Sequence, residues 1–273
     1  MNMQKSLHGL VLGVTLGWLA APVDHRVHAA PDTIDISKFP GAMIEDVVVP
    51  VASEVFLVLD KLGERNWAGE LKVGDWPRYT DRTDLALLFG MVVAEGFIAV
   101  QAQDQQAVED IGREVLNLAR SLGIYNAVQQ HGQSILSSAN DSDWAAIRRE
   151  LDRTQKTVRD VMRDQRDEEL AQCVSLGGWL RGTEAVASLV SKGYTNDKAE
   201  ILNQPHLVEH FQLAIEKMPP RIRDKENMQA ILVGLRQIEA TMGQHEDVLP
   251  VDGVNAVLGT CGRLVQRLYG TQP

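Results

Sequence analysis

Aromatic residues make up only 5% of the 273-residue chain, and Cys173 and Cys261 are its only two cysteines. So few aromatic rings argue against a β-sandwich, and the apolar mass of Leu, Val, Ile and Ala favours helices packed closely through small residues. Two cysteines cannot form a disulfide scaffold, and the absence of C-x-x-C and C-x-x-C-H removes thioredoxin-like redox chemistry and c-type haem attachment. No G-x-S-x-G elbow, P-loop or G-x-G-x-x-G following a strand occurs, so nucleophilic catalysis and nucleotide hydrolysis find no motif. Glu-x-x-His is missing beyond residue 29, which argues against a di-metal centre inside a helical bundle. No cofactor is implied. The remaining composition, 44% hydrophobic and 23% charged with 22 Gly and 10 Pro, is that of a globular protein and excludes collagenous and largely disordered classes.

What is present begins with an export signal. Lys5 supplies a positive start, Leu7 to Ala21 is uncharged and apolar, and Val27-His28-Ala29 places small residues at −3 and −1 of a cleavage site. The run is short of the roughly 20 residues that span a bilayer, and Pro22 ends it. Residues 1–29 are therefore expected to be a signal peptide, with the mature chain exported to a periplasm or the exterior and carrying no membrane span. Removing that segment takes away Lys5, Arg26 and Asp24, leaving 25 basic and 36 acidic residues and a net charge of −11. Such a field repels phosphate backbones. The best basic patch, Arg148, Arg149, Arg153, Lys156 and Arg159, is interleaved with Glu150, Asp152 and Asp160, as on a solvated helix face. Nucleic acid is not an expected partner.

Residues 30–42 read as an extended lead-in, and residues 43–273 as a single all-helical domain, with 195–205 the best place for any subdivision. From Ile44 onward the pattern is helical nearly everywhere, and the expected fold is an irregular bundle of about eight to ten helices. Pro50 suits the first turn of a helix ended by Gly63. Residues 63–80 hold Trp67, Trp76, Arg78 and Tyr79 and read as the longest ordered loop, with Thr80 or Asp81 capping the next helix. Leu85 to Val100, LALLFGMVVAEGFIAV, is apolar on every face with Glu95 as its single charge, which predicts a central, fully buried helix. Val108, Ile111, Val115, Leu118 and Leu122 step by three and four residues and predict a helix capped by Asp104 and stopped by Gly123. A long helical stripe from Trp144 to Gly193 has a break expected at Arg166 to Glu169.

Three groups of residues are candidates for function. His206-Leu207-Val208-Glu209-His210 has the letters of the inverted zinc-protease motif, which would place two imidazoles one helical turn apart with Glu209 beside them. It lacks a third ligand and the sheet such enzymes carry, so His206 and His210 are weak metal candidates and a metal-dependent hydrolase is the alternative reading. Trp67, Trp76 and Arg78 are typical of a recognition loop, and equally of rings that plug a loop onto a bundle, which is the favoured reading. Finally, Ala86, Gly90 and Ala94 recur every fourth residue, as do Gly178 and Gly182. If these grooves meet, Glu95 lies near Arg181, and a buried carboxylate requires such a partner. Gln101 and Asp104, one to two turns further on, are the residues that would extend this pair into a polar spot for a ligand. In an oxidising compartment Cys173 and Cys261 would bridge if close, but each sits in an apolar stripe and the favoured expectation is two separate core thiols. The leading expectation is an exported, non-enzymatic helical protein that binds a partner or small ligand.

Overall fold

The computed structural model describes residues 42–44, 47–49, 52–63, 66–245 and 248–270; the signal segment 1–29 and residues 30–41 of the lead-in lie outside them. All described residues belong to one compact unit, Asp35–Pro273. The described residues form a multi-helix bundle with nine helices of ten or more residues and two short ones: α1 (Ala52–Lys61), α2 (Arg82–Ala102), α3 (Gln105–Leu122), α4 (Tyr125–Asn140), α5 (Trp144–Asp164), α6 (Glu168–Lys192), α7 (Asn196–Glu200), α8 (Pro205–Lys217), α9 (Pro220–Arg223), α10 (Glu226–Met242) and α11 (Val251–Leu268). Two three-residue strands precede them. β1 (Ala42–Ile44) and β2 (Val47–Val49) pair antiparallel, with Ile44 opposite Val47 and Ala42 opposite Val49. The helical reading from Ile44 is thus corrected, because the three consecutive β-branched valines favour an extended backbone.

Local signals set several helix ends. The Asp81 carboxylate accepts hydrogen bonds from the Thr83 and Asp84 amides at the start of α2, Asp104 does the same for Ala107 in α3, and Asp143 for Ala146 in α5. Gly123 closes α3 at φ 80°, as glycine does without steric cost. The corner between α5 and α6 is closed at Arg166 with φ 56°, within the expected break.

α2 is the axis of the bundle. It extends beyond the apolar run at both ends, reaching 21 residues, and is long and apolar enough to cross a membrane by length and composition. In this fold 67% of its most apolar stretch is buried by other helices, so it is a core helix. Leu87, Leu88, Met91 and Val92 are fully covered, while Val93, Gly96 and Phe97 are only partly so; α1 shields Phe97 by setting Phe56 against it, 5.2 Å between ring centres. α2 packs most extensively on α6, then on α3, and α6 in turn carries α11. Against α6 the two backbones touch. A Cβ on Gly90 would run into the Val174 carbonyl, and one on Gly177 into the Leu87 carbonyl. The groove expectation therefore holds for Gly90 and Gly178 but not for Gly182, which has nothing within 4 Å; Gly177 makes the second approach instead. Only glycine permits this spacing at both points. In α3 the stepped residues Val108, Ile111, Leu118 and Leu122 are buried as their spacing requires. Cys173 and Cys261 are buried and free, and burial raises the Cys173 thiol pKa to about 12.

Candidate functional site

The close α2–α6 crossing places Glu95 and Arg181 side by side, 0% and 1% exposed. The Arg181 guanidinium donates from Nε to Glu95 Oε1 at 2.5 Å and from Nη2 to Oε2 at 3.1 Å, a bidentate pair. The Tyr269 hydroxyl, just beyond α11, donates to Oε1 at 2.9 Å, and the Lys72 backbone amide donates to Oε2 at 3.1 Å. Each carboxylate oxygen of Glu95 thus accepts two hydrogen bonds, the condition under which a buried charge is tolerable. The Arg181 Nη2 also donates to the Glu70 carbonyl, and Nη1 lies 3.4 Å from Glu184 Oε2. Two lysines close the outside, Lys72 on Glu184 and Lys192 on Glu70. Burial alone would lower the Arg181 pKa, but the Glu95 charge and hydrogen bonds outweigh it and the net direction is up. Burial, followed by the Glu95 charge, pushes the Tyr269 hydroxyl well above an ordinary phenol.

The remaining residues singled out from the sequence are dispersed. Gln101 and Asp104 do not join the Glu95 cluster, although they follow it on the same stretch of chain. Gln101 donates to Asp60 at 3.0 Å and accepts from Arg148 at 2.7 Å, on the α1–α5 side. Asp104 is spent on its cap. Trp67 is 3% exposed in a single 3₁₀ turn (Trp67–Glu70), and its indole nitrogen is buried without a hydrogen-bond acceptor. Trp76 is half-buried against the core, and the Tyr79 hydroxyl donates to the Leu268 carbonyl at 2.8 Å. Arg78 is largely exposed and pairs with Glu114 at 2.7 Å. The loop is therefore laid down onto α2, α6 and α11 as a strap. His206 and Glu209 are exposed on α8, His210 is half-buried with its ring 5.9 Å from that of Phe211, and among the described residues no three His, Cys, Asp or Glu side chains converge to hold a metal.

Sequence reasoning missed Glu70, Lys72, Glu184 and Tyr269, which come from a strap and from helices far apart in the chain. It also missed a second polar centre. His131 on α4 sits 2.7 Å through Nδ1 from Glu150 and 3.0 Å through Nε2 from Thr157, both on α5, and Arg153 donates to the same Glu150 at 3.0 Å. No local spacing links His131 to Glu150; only the antiparallel packing of α4 on α5 does.

The surface has two concavities of note among the described residues. One, of 380 Å³, runs between α10 and α11 over Ala230, Val233, Gly234 and Leu264, with Gln229, Gln237, Thr260 and Arg263 around it. The other, of 220 Å³, lies between α6 and α8 beside Glu169, His210 and Lys217. Comparison with protein-family models, with curated proteins and with solved structures matched none of them to this chain.

Proposed function

We propose that the protein is exported and acts by binding, with no chemistry of its own, and that the α10–α11 groove takes a small ligand with an apolar body and an anionic end. The N-terminal signal pattern supports export. The observation that carries the binding reading is the groove itself. It is a shallow groove of 380 Å³, open to solvent along most of its length, that combines an apolar floor with a few polar groups at one side, as a surface site for part of a small ligand requires. Val233 is 52% exposed there, an apolar side chain presented to solvent within a concave surface. Arg263 donates to the neutral acceptors Thr260 Oγ1 at 3.1 Å and Gln237 Oε1 at 3.4 Å, so a carboxylate entering the groove meets a cation already held in place by neutral neighbours.

The test is native mass spectrometry of the mature protein purified without detergent, followed by thermal shift with decanoate. A bound small acid, or a decanoate-dependent rise in melting temperature that Arg263→Glu and Val233→Lys each abolish, is the expected result. A chain that carries nothing and melts identically with and without decanoate removes the groove as the site.

A further inference from the structure

We infer that the buried Glu95–Arg181 pair is a recognition site for an extended peptide segment, filled in this structure by the chain's own residues 70–72. The Glu70 carbonyl accepts from Arg181 Nη2, and the Lys72 amide donates to Glu95 Oε2. Between them lies Leu71, extended at φ −67° and ψ 137°. One edge of a short extended segment thus offers a carbonyl and an amide, and a planar guanidinium and a planar carboxylate read them together. That is the main-chain half of peptide recognition by strand-like docking. The side-chain half is also present. Glu70 reaches Lys192, and Lys72 reaches Glu184, so the site selects an acidic residue followed two positions later by a basic one.

Two further features separate the site from its occupant. Glu95 stands on α2, Arg181 and Glu184 on α6 and Tyr269 at the end of α11, helices that contact one another directly. The groups that read the peptide therefore persist when residues 70–72 leave. The strap's docking is incompletely satisfied: burial of the Trp67 ring favours it, but the indole N–H has no protein acceptor, whereas in the undocked strap it reaches water. Its outer ion pairs involve Lys72 and Lys192, whose side chains are 38% and 64% exposed, where solvent weakens such pairs. The occupant that fits in trans is an extended peptide of acidic–any–basic pattern, at a place distinct from the α10–α11 groove.

The experiment uses the intact chain with Glu70→Ala and Lys72→Ala together, which removes both outer pairs but keeps the strap's main-chain groups. The probe is a dye-labelled synthetic peptide with the sequence of residues 66–74, NWAGELKVG. The double variant is expected to bind it saturably and roughly tenfold more tightly than the wild type, whose tethered strap competes at high effective concentration. A probe carrying proline at the position of Lys72, with no amide for Glu95, is expected to lose about tenfold or more of that affinity. Equal binding of the two probes, or no binding by a folded variant above a scrambled peptide, overturns the inference. Hydrogen exchange on the wild type decides independently of how the variant folds. The Lys72 amide is expected to exchange by local opening, roughly a hundredfold faster than that of Leu88 in α2, and exchange of both together only on global unfolding refutes a displaceable strap.

Discussion

Among the described residues, Arg181 and Arg148 each grip one carboxylate through two guanidinium nitrogens, and they serve different purposes. Arg181 and Glu95 are sealed at the α2–α6 crossing. Arg148 on α5 holds Asp60 of α1 at 2.8 and 3.1 Å, lies over the Phe56 ring at 4.4 Å, and does so with side chains 34% and 48% exposed. The hydrogen-bond geometry is comparable; the surrounding medium is not. While the strap is docked, water cannot replace a lost partner at the crossing, so each charge depends on the other. On the α1–α5 side it can, and the pair ties a short helix to the bundle with the modest energy of an exposed ion pair.

The largest effect is expected at the backbone contact that seals the buried pair. Gly90→Val puts a side chain where the Val174 carbonyl lies, and is expected to destabilise by about 4 kcal/mol or more, measured by chemical denaturation, because neither helix can yield. Gly182→Ala, two turns away on the open side, is its control: it is expected to be neutral or to stabilise by up to about 1 kcal/mol from helix propensity. Next in size is the pair itself. Arg181→Met strands Glu95 in the core and is expected to cost roughly 3 to 5 kcal/mol, whereas Glu95→Gln combined with Arg181→Met recovers much of the loss. A double-mutant cycle at Arg148 and Asp60 is expected to give a coupling of about 1 kcal/mol or less.

Tyr269→Phe removes one hydrogen bond to a charged acceptor and is expected to cost about 2 kcal/mol at neutral pH. It also carries a pH signature. The folded-state Tyr269 pKa is raised, so the folded protein keeps a proton that the unfolded chain releases above about pH 10, and stability falls as pH rises through that window. The variant is expected to show a shallower alkaline decline in melting temperature than the wild type. The smallest effect is at Asp60. Hydrogen bonds from Arg148, against the opposing effect of partial burial, hold this carboxyl below its usual value. Its stabilising effect is therefore present above about pH 4 and fades as pH falls through the lowered folded-state value. Asp60→Asn is expected to flatten only that shallow acid limb and to cost about 0.5 kcal/mol at neutral pH.

Much of the helical plan is legible in local sequence. The three-four spacing from Val108 to Leu122 predicts α3 to within three residues at its start, Asp81 and Asp104 cap where their side chains suggest, and the expected break after α5 falls at Arg166. These features depend on residues within one or two turns of each other. The hairpin at Ala42–Val49 escapes because three-residue strands leave too short an alternation to compete with helical spacing. The candidate site is half legible. A lone acid in an apolar helix demands a cation, and the stripe through Gly90 and Gly178 leads to Arg181 although Gly182 beside it makes no close approach, yet nothing local points to Tyr269, 174 residues from Glu95, or to the Lys72 amide. Gln101, six residues after Glu95 on α2, points to a different face of the helix, and Asp104 lies beyond the end of α2 at Ala102, where the chain turns through Gln103 at φ 53°.

A helical bundle with a central apolar helix is written into the residues themselves, because periodicity, capping and the need to cover a helix without a polar face are local demands. So is the need of Glu95 for a partner, since an unpaired charge cannot be held in such surroundings. Which partners answer was decided by tertiary structure alone. Gly90 and Gly177 let two backbones come into contact, that contact sets which turns of α2 and α6 face each other, and only then do a strap amide, a distant hydroxyl and a guanidinium meet on one carboxylate.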